Sequence, residues 1–207
     1  MVDMGRELEE IAREVAECRK CSLWKTRTNP VPGEGPQDAE VMLVGEAPGR
    51  SEDQQGRPFV GAAGKLLSEL LAAAGLSREE VYITNVLKCR PPGNRDPLPS
   101  EIEACTPFLD RQISHIRPKL ICTLGRFSAA YILSRIGVKP RAIASIHGKA
   151  FKGTLDYGEA TVVAMYHPAA ALYKPPLREA MFRDWSRLGS LLRKSRGEEA
   201  TLESFYT

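Results

Sequence analysis

Val41-Met42-Leu43-Val44-Gly45-Glu46-Ala47-Pro48-Gly49 decides the fold. Four apolar residues form a short run with no polar face, the mark of a strand buried on both sides. The run ends in a glycine- and proline-rich turn that carries a single carboxylate. The pattern recurs downstream. Val81-Tyr82-Ile83-Thr84 is a second such run with Asn85 at its end, and Leu120–Leu124 is a third, followed by Gly125. Thr161–Met165 is a fourth, followed by Tyr166-His167-Pro168.

Between the runs lie helical periods. Apolar residues at Leu8, Ile11, Ala12, Val15 and Ala16 predict a helix over residues 4–17. Further helices are predicted over 62–74, stopped by Gly75, over 99–116 with Ser100 as N-cap and Glu103 three residues on, over 126–135 and over 177–194. The segments 26–38 and 90–99 are rich in proline and glycine and read as loops, as does the polar stretch from Gly49 to Gly61. Strands alternating with helices predict an α/β fold, a parallel sheet of four strands with helices on both faces. Ligands of such sheets bind at the carboxyl ends of the strands, where Glu46, Asn85 and His167 fall.

The composition bounds the class. The 207 residues, 43% hydrophobic and 7% aromatic, suit one domain, expected over residues 1–195, with a polar tail over 196–207. No run of eighteen apolar residues occurs, so no membrane helix is expected, and the charged N-terminus does not look like a signal peptide. A cytoplasmic protein is expected. The net charge of +3 permits nucleic-acid binding without demanding it. Scarce Asn and Gln beside plentiful Arg and Glu lean towards a heat-stable source.

Four of the five cysteines are placed as ligands of one centre. Cys18 and Cys21 form a Cys-Arg-Lys-Cys pair, and Cys89 and Cys105 follow roughly seventy residues later. In a reducing compartment such clusters point to metal rather than disulfides. Four thiolates suit zinc or an iron–sulfur cluster, and spacing does not choose between them. Cys122 lies within the third strand and reads as a core thiol.

Taken together, Gly45-Glu-Ala-Pro-Gly49, Glu52-Asp53, Gly56-Arg-Pro-Phe-Val-Gly61, Thr84-Asn-Val-Leu-Lys-Cys89 and His167-Pro-Ala-Ala-Ala-Leu172 resemble the family 4 uracil-DNA glycosylases. The resemblance runs from about Cys18 to the last helix. It implies a three-layer α/β/α sandwich around a central four-stranded parallel sheet, and a 4Fe-4S cluster on Cys18, Cys21, Cys89 and Cys105, with zinc as the alternative. It implies hydrolysis of the bond between uracil and deoxyribose after the base is flipped into a pocket.

Under the resemblance, Glu46, Asn85 and His167 are the catalytic residues. Gly45, Glu46, Ala47, Phe59, Asn85 and His167 hold uracil. His167 would stabilise the departing base, Asn85 would pair with its polar edge and Phe59 would stack on it. Many relatives in the wider superfamily carry a water-activating Asp where this chain has Ala47, which leaves the general base open: Glu46 is the natural carboxylate for water or the sugar cation, with action through its backbone as the alternative. Glu52 and Asp53 read as organisers of the loop and helix start. Gly61, Ala62 and Gly64 would meet a DNA phosphate at a helix N-terminus, and the segment 169–173 resembles a wedge loop from which Ala171, Leu172 and Tyr173 would enter the duplex. The cluster Lys174, Arg178 and Arg183 reads equally well as phosphate contacts or as a solvated face.

The expected partner is uracil-containing DNA, single- or double-stranded, bound by a monomer in base-excision repair. A sliding clamp is a further candidate through Phe205-Tyr206. The alternatives are a glycosylase for another deaminated base and a non-catalytic, metal-stapled DNA-binding module.

Overall fold

A computed structural model describes residues 4–195. The tail with Phe205-Tyr206 lies outside them, and no described helix is long and apolar enough to cross a membrane. Five strands form one sheet: β1 (Val41–Gly45), β2 (Val81–Asn85), β3 (Leu120–Leu124), β4 (Ala150–Leu155) and β5 (Gly158–Met165), in the order β2-β1-β3-β5-β4. The four expected runs are β1, β2, β3 and β5, and they are mutually parallel. The expectation of four strands needs correction, because β4 adds a fifth, antiparallel to β5 through the turn at Asp156-Tyr157. Its residues alternate exposed and half-buried, so no apolar run marks it. It is an edge strand with one wet face, unlike β1, β2 and β3, which are buried at every residue.

Among the described residues eight α-helices surround the sheet: α1 (Met4–Glu17), α2 (Arg50–Gln55), α3 (Ala62–Ala73), α4 (Pro99–Ile116), α5 (Arg126–Arg135), α6 (Ile143–Ile146), α7 (Ala169–Tyr173) and α8 (Pro176–Ser195). The pleat divides each apolar run between two cores. Met42 and Val44 pack with Ile11, Phe108 and Ile132 of α1, α4 and α5, while Val41 and Leu43 pack with Leu67 of α3 and Trp185 of α8. The three-layer sandwich follows.

Three local expectations change. The stretch 50–55 is a helix rather than loop. It has no apolar period, but glycines stop it at both ends, and Gly56 at φ 67° supplies the left-handed exit. The start of α4 is not capped by Ser100. Leu98 holds the N-cap position with Pro99 as the first helical residue, and Glu101, rather than Glu103, accepts the Leu98 amide at 2.9 Å. The segment after His167 is α7, a single tight helix rather than an open loop.

The strand order places a reversal at β1. The chain leaves β1 for β2 on one side, then crosses back to β3 on the other. The crevice between the carboxyl ends of β1 and β3 is where an α/β sheet of this kind accepts a ligand.

Candidate active site

A cavity of about 420 Å³ opens at that crevice. Glu46 after β1, Asn85 at the end of β2 and His167 after β5 all line it, with Phe59 from the loop between α2 and α3. Residues 121 positions apart in the chain meet because parallel strands deliver their carboxyl ends to one rim.

Asn85 is almost wholly buried, and among the described residues its Oδ1 has no hydrogen-bond partner. An orphaned buried acceptor costs roughly 1–3 kcal/mol, a penalty that a ligand N–H placed against it would relieve. Gly45 explains how the amide fits. A Cβ there would stand 2.3 Å from Asn85 Oδ1 and 2.7 Å from the Phe59 ring. Gly45 itself is buried and does not line the cavity, so its contribution to base binding is the space it leaves. Ala47 does line the cavity and adds no charge to it.

Phe59 has φ 51°, an uncommon conformation for an aromatic residue, and such strain gathers at functional sites. Its carbonyl presses on Gly64, where a Cβ would lie 1.8 Å away. Arg78 Nη1 donates to the same carbonyl at 3.0 Å, and Arg78 also pairs with Glu34. The Phe59 ring stacks on His167 with centroids 5.6 Å apart.

His167 is half-buried and lines the cavity. Burial pulls its pKa down to about 4, so the imidazole is neutral at neutral pH. The Ala169 amide donates to Nδ1 at 3.1 Å. In a neutral ring that acceptor role puts the proton on Nε2, making His167 a hydrogen-bond donor through that atom.

Glu46 lies against the start of α5. Its Oε1 accepts the Phe127 amide at 3.2 Å and would be 2.3 Å from a Cβ at Gly125. Burial raises the Glu46 pKa, the Phe127 and Arg126 amides and the Arg126 charge oppose it, and Asp96 adds to the rise. Arg126 in turn pairs with Asp96 on the loop that walls the cavity. The sequence did not single out Asp96 or Arg126, since a lone exposed ion pair leaves no periodic signal.

Glu52 and Asp53 organise loops, as expected. Glu52 Oε1 accepts the Val60 and Gly61 amides, each at 2.9 Å, and Asp53 accepts the Thr28 amide at 2.9 Å. This alters the expectation for the start of α3. A protein carboxylate already holds the Gly61 amide, and Gly64 is buried under Phe59, so of Gly61, Ala62 and Gly64 only Ala62 is exposed at the mouth. On α7, Leu172 is 47% and Tyr173 84% exposed beside the cavity, whereas Ala171 is buried in the core beneath them. Arg178 pairs with Glu69, and Arg183 lies 3.7 Å from Glu179, on an exposed helix face.

The cysteines occupy a second region. Cys18, Cys21, Cys89 and Cys105 line one recess with Val15, Leu23 and Phe108. Burial raises the Cys89 thiol pKa and pushes Cys105 up to about 11, so neither is an activated nucleophile. Donors face the sulfurs: Arg27 Nη1 stands 3.1 Å from Cys89 Sγ, and the Lys88 amide 3.2 Å from Cys105 Sγ. Arg27 also donates to the Val15 and Ala16 carbonyls, tying α1 to the recess. Among the described residues no three of His, Cys, Asp and Glu are gathered to hold a single ion. The sulfurs surround a recess rather than a point. Cys122 is fully buried in β3 with its pKa at about 12, an inert core thiol as expected.

Comparison with known proteins gives the class. The pattern described as "Uracil DNA glycosylase superfamily" matches residues 32–187. A type-4 uracil-DNA glycosylase of Archaeoglobus fulgidus is 53% identical over 187 residues, covering 90% of this chain and 94% of its own. Type-4 enzymes of Sulfurisphaera tokodaii (54% identical, 89% of this chain and 84% of its own) and Thermotoga maritima (42%, 90% and 95%) agree. The chain belongs to the uracil-DNA glycosylase superfamily and, within it, to the type-4 family.

Proposed function

We propose that this protein excises uracil from DNA by hydrolysing the N-glycosidic bond, leaving an abasic site for base-excision repair. The unpartnered Asn85 Oδ1 in the cavity carries the reading. Uracil offers an N3–H donor beside a carbonyl acceptor, which one amide can meet with its oxygen and its NH₂. Cytosine presents an acceptor at N3 and a donor next to it, and would leave the buried amide mismatched. Phe59 stacks on the flipped base.

Breaking the bond sends its electron pair to uracil and leaves positive charge on the sugar. His167 Nε2–H donates to a uracil carbonyl as that charge develops. A neutral imidazole suits this role, because the donor is preorganised and gives up no proton. Glu46 sits on the sugar side, where its carboxylate stabilises the cation and orients the water. Water adds to C1′ and loses a proton to solvent or to Glu46. Leu172 and Tyr173 fill the gap left by the flipped nucleotide. The substrate strand is single or double, and residues 1–195 act as one monomeric domain.

The four cysteines hold a 4Fe-4S cluster. Four thiols from three parts of the chain line one shared recess, a donor set that suits a polynuclear cluster as well as tetrahedral zinc, and the likeness to type-4 enzymes favours the cluster. When bound, the cluster supplies a structural bond between α1, the segment after β2, and α4. The chemistry of base release stays with Glu46, Asn85 and His167. Phe205-Tyr206 is the candidate contact for a sliding clamp.

A uracil-containing single strand is incubated with the protein and abasic sites are then cleaved with alkali. Scission well above that given by the His167→Ala, Asn85→Ala double variant is expected. Scission no greater than that control refutes the enzyme.

A further inference from the structure

Lys88 is 1% exposed, and its side chain is among the largest that the fold encloses completely. Its ammonium is given three acceptors and no carboxylate: Thr84 Oγ1 at 2.6 Å, Gln112 Oε1 at 2.7 Å and the Asn85 carbonyl at 2.8 Å. A lysine offers three donors on one atom, and all three are engaged. Its acceptors are fixed in turn. Gln112 Nε2 donates to the Pro32 carbonyl at 2.8 Å and to the Tyr82 hydroxyl at 3.0 Å, and Thr84 Oγ1 donates to the Pro32 carbonyl at 2.9 Å. The Val31 amide closes over the Lys88 carbonyl at 2.7 Å.

Burying an ammonium is costly, and core packing alone would be served as well by an apolar side chain of the same length. What an apolar side chain cannot do is grip the main chain at Asn85. Asn85 ends β2, an edge strand, and its one strand partner among the described residues is Gly45 of β1. Its amide must meet the base from a site where Gly45 and Phe59 leave no slack. Although Lys88 precedes Cys89 and lines the cysteine recess, its ammonium turns back along β2 to Thr84 and Asn85.

We propose that Lys88 is a positioning residue for uracil recognition, holding the Asn85 carbonyl so that the Asn85 amide meets the base in register. This rests on the excision reading above. It assigns to the Lys88–Thr84–Gln112 network the precision of that single contact.

The test is a double-variant cycle read by single-turnover excision and by inhibition with free uracil, which probes the base pocket without DNA. Lys88→Met is expected to lower excision roughly 10- to 100-fold, the cost of misplacing one reacting contact by about 1 Å. Its apparent affinity for uracil-containing DNA should change less than about twofold, because phosphate contacts dominate that term. Inhibition by free uracil should weaken together with excision. In an Asn85→Ala background, Lys88→Met should cost nothing further. Thr84→Val is nearly isosteric and removes one acceptor, so it should show the same pattern at smaller size even if Lys88→Met folds poorly. Losses that multiply in the Asn85→Ala background, or unchanged inhibition by free uracil in folded Thr84→Val and Lys88→Met, would overturn the proposal. Excision by the unaltered protein is measured beside them, so failure of the parent activity is told apart from failure of this assignment.

Discussion

The cavity and the cysteine recess are built on opposite terms. The cavity contains what folding alone would avoid: an acceptor with no partner at Asn85, an aromatic residue at φ 51°, and a carboxylate whose pKa burial raises. The recess contains four thiols from three separate parts of the chain, with Arg27 and the Lys88 amide turned onto two of them. Unrelieved cost at one site and accumulated ties at the other divide the labour between chemistry and cohesion. The two regions meet at residues 85–89, where one strand end carries Asn85 into the cavity and Cys89 into the recess.

The largest effect expected is on cohesion. Cys89→Ala should destabilise the protein by about 4 kcal/mol or more, since losing a metal staple is among the largest single-site changes. For a chain of this size that is a melting temperature lower by roughly 8–16 °C. A melting curve unchanged by the substitution would break the comparison on the recess side.

Next in size, His167→Ala should slow single-turnover excision roughly 10²- to 10³-fold, the cost of removing one preorganised donor. Its melting temperature should not fall at neutral pH. There is a pH signature as well. The folded pKa of about 4 lies below the ordinary value for histidine, so between the two the unfolded chain binds a proton that the folded one refuses. The parent protein should therefore lose stability as pH falls from about 6.5 to 4, with no such contribution above that range. His167→Ala should flatten this part of the stability profile, and an unflattened profile would place the imidazole in water.

Sharper still is the acid limb of kcat/KM. Because the Glu46 pKa is raised, an essential Glu46 carboxylate is lost as pH falls through a value above the ordinary carboxylate range. Protonation of His167 follows only at lower pH. Glu46→Gln should slow excision and erase the limb, whereas a limb that survives in the variant would assign it to another group.

The smallest effects lie at the rim. Leu172→Ala should weaken productive binding by about 1 kcal/mol, roughly fivefold, since part of an exposed wedge is removed. Arg126→Ala breaks an ion pair with Asp96 in which both side chains are more than half exposed, and excision should stay within about threefold of the parent. A larger loss there would make the loop around Asp96 a working part of the site.

What the sequence revealed follows the same division. The strands β1, β2, β3 and β5 are legible because each is an uninterrupted apolar run ending in a turn. Their parallel packing then put Glu46, Asn85 and His167 on one rim without further information. The cysteines were legible as a set from spacing and compartment. What escaped has physical reasons. β4 is an edge strand whose Lys152 and Gly153 break any run, and Gly153 is there because a Cβ would lie 2.4 Å from Ile136. α2 is polar along its whole length. Glu52 on the Gly61 amide closes part of the helix start that was expected to be open to phosphate, and Ala171 turns inward because one face of α7 must pack. Lys88 was hidden because a lysine between Leu87 and Cys89 resembles any solvated residue, and its burial comes from tertiary contacts such as those with Gln112 of α4.

The central claim is that the recess holds the fold while the cavity performs the reaction. Its most direct test is the single-turnover excision rate of Cys89→Ala, scaled to the folded fraction measured in the same sample below its melting point. The expected rate per folded molecule lies close to that of the parent protein and far above that of His167→Ala. A fully folded Cys89→Ala protein as inactive as His167→Ala would contradict the claim and make the recess part of the catalytic site.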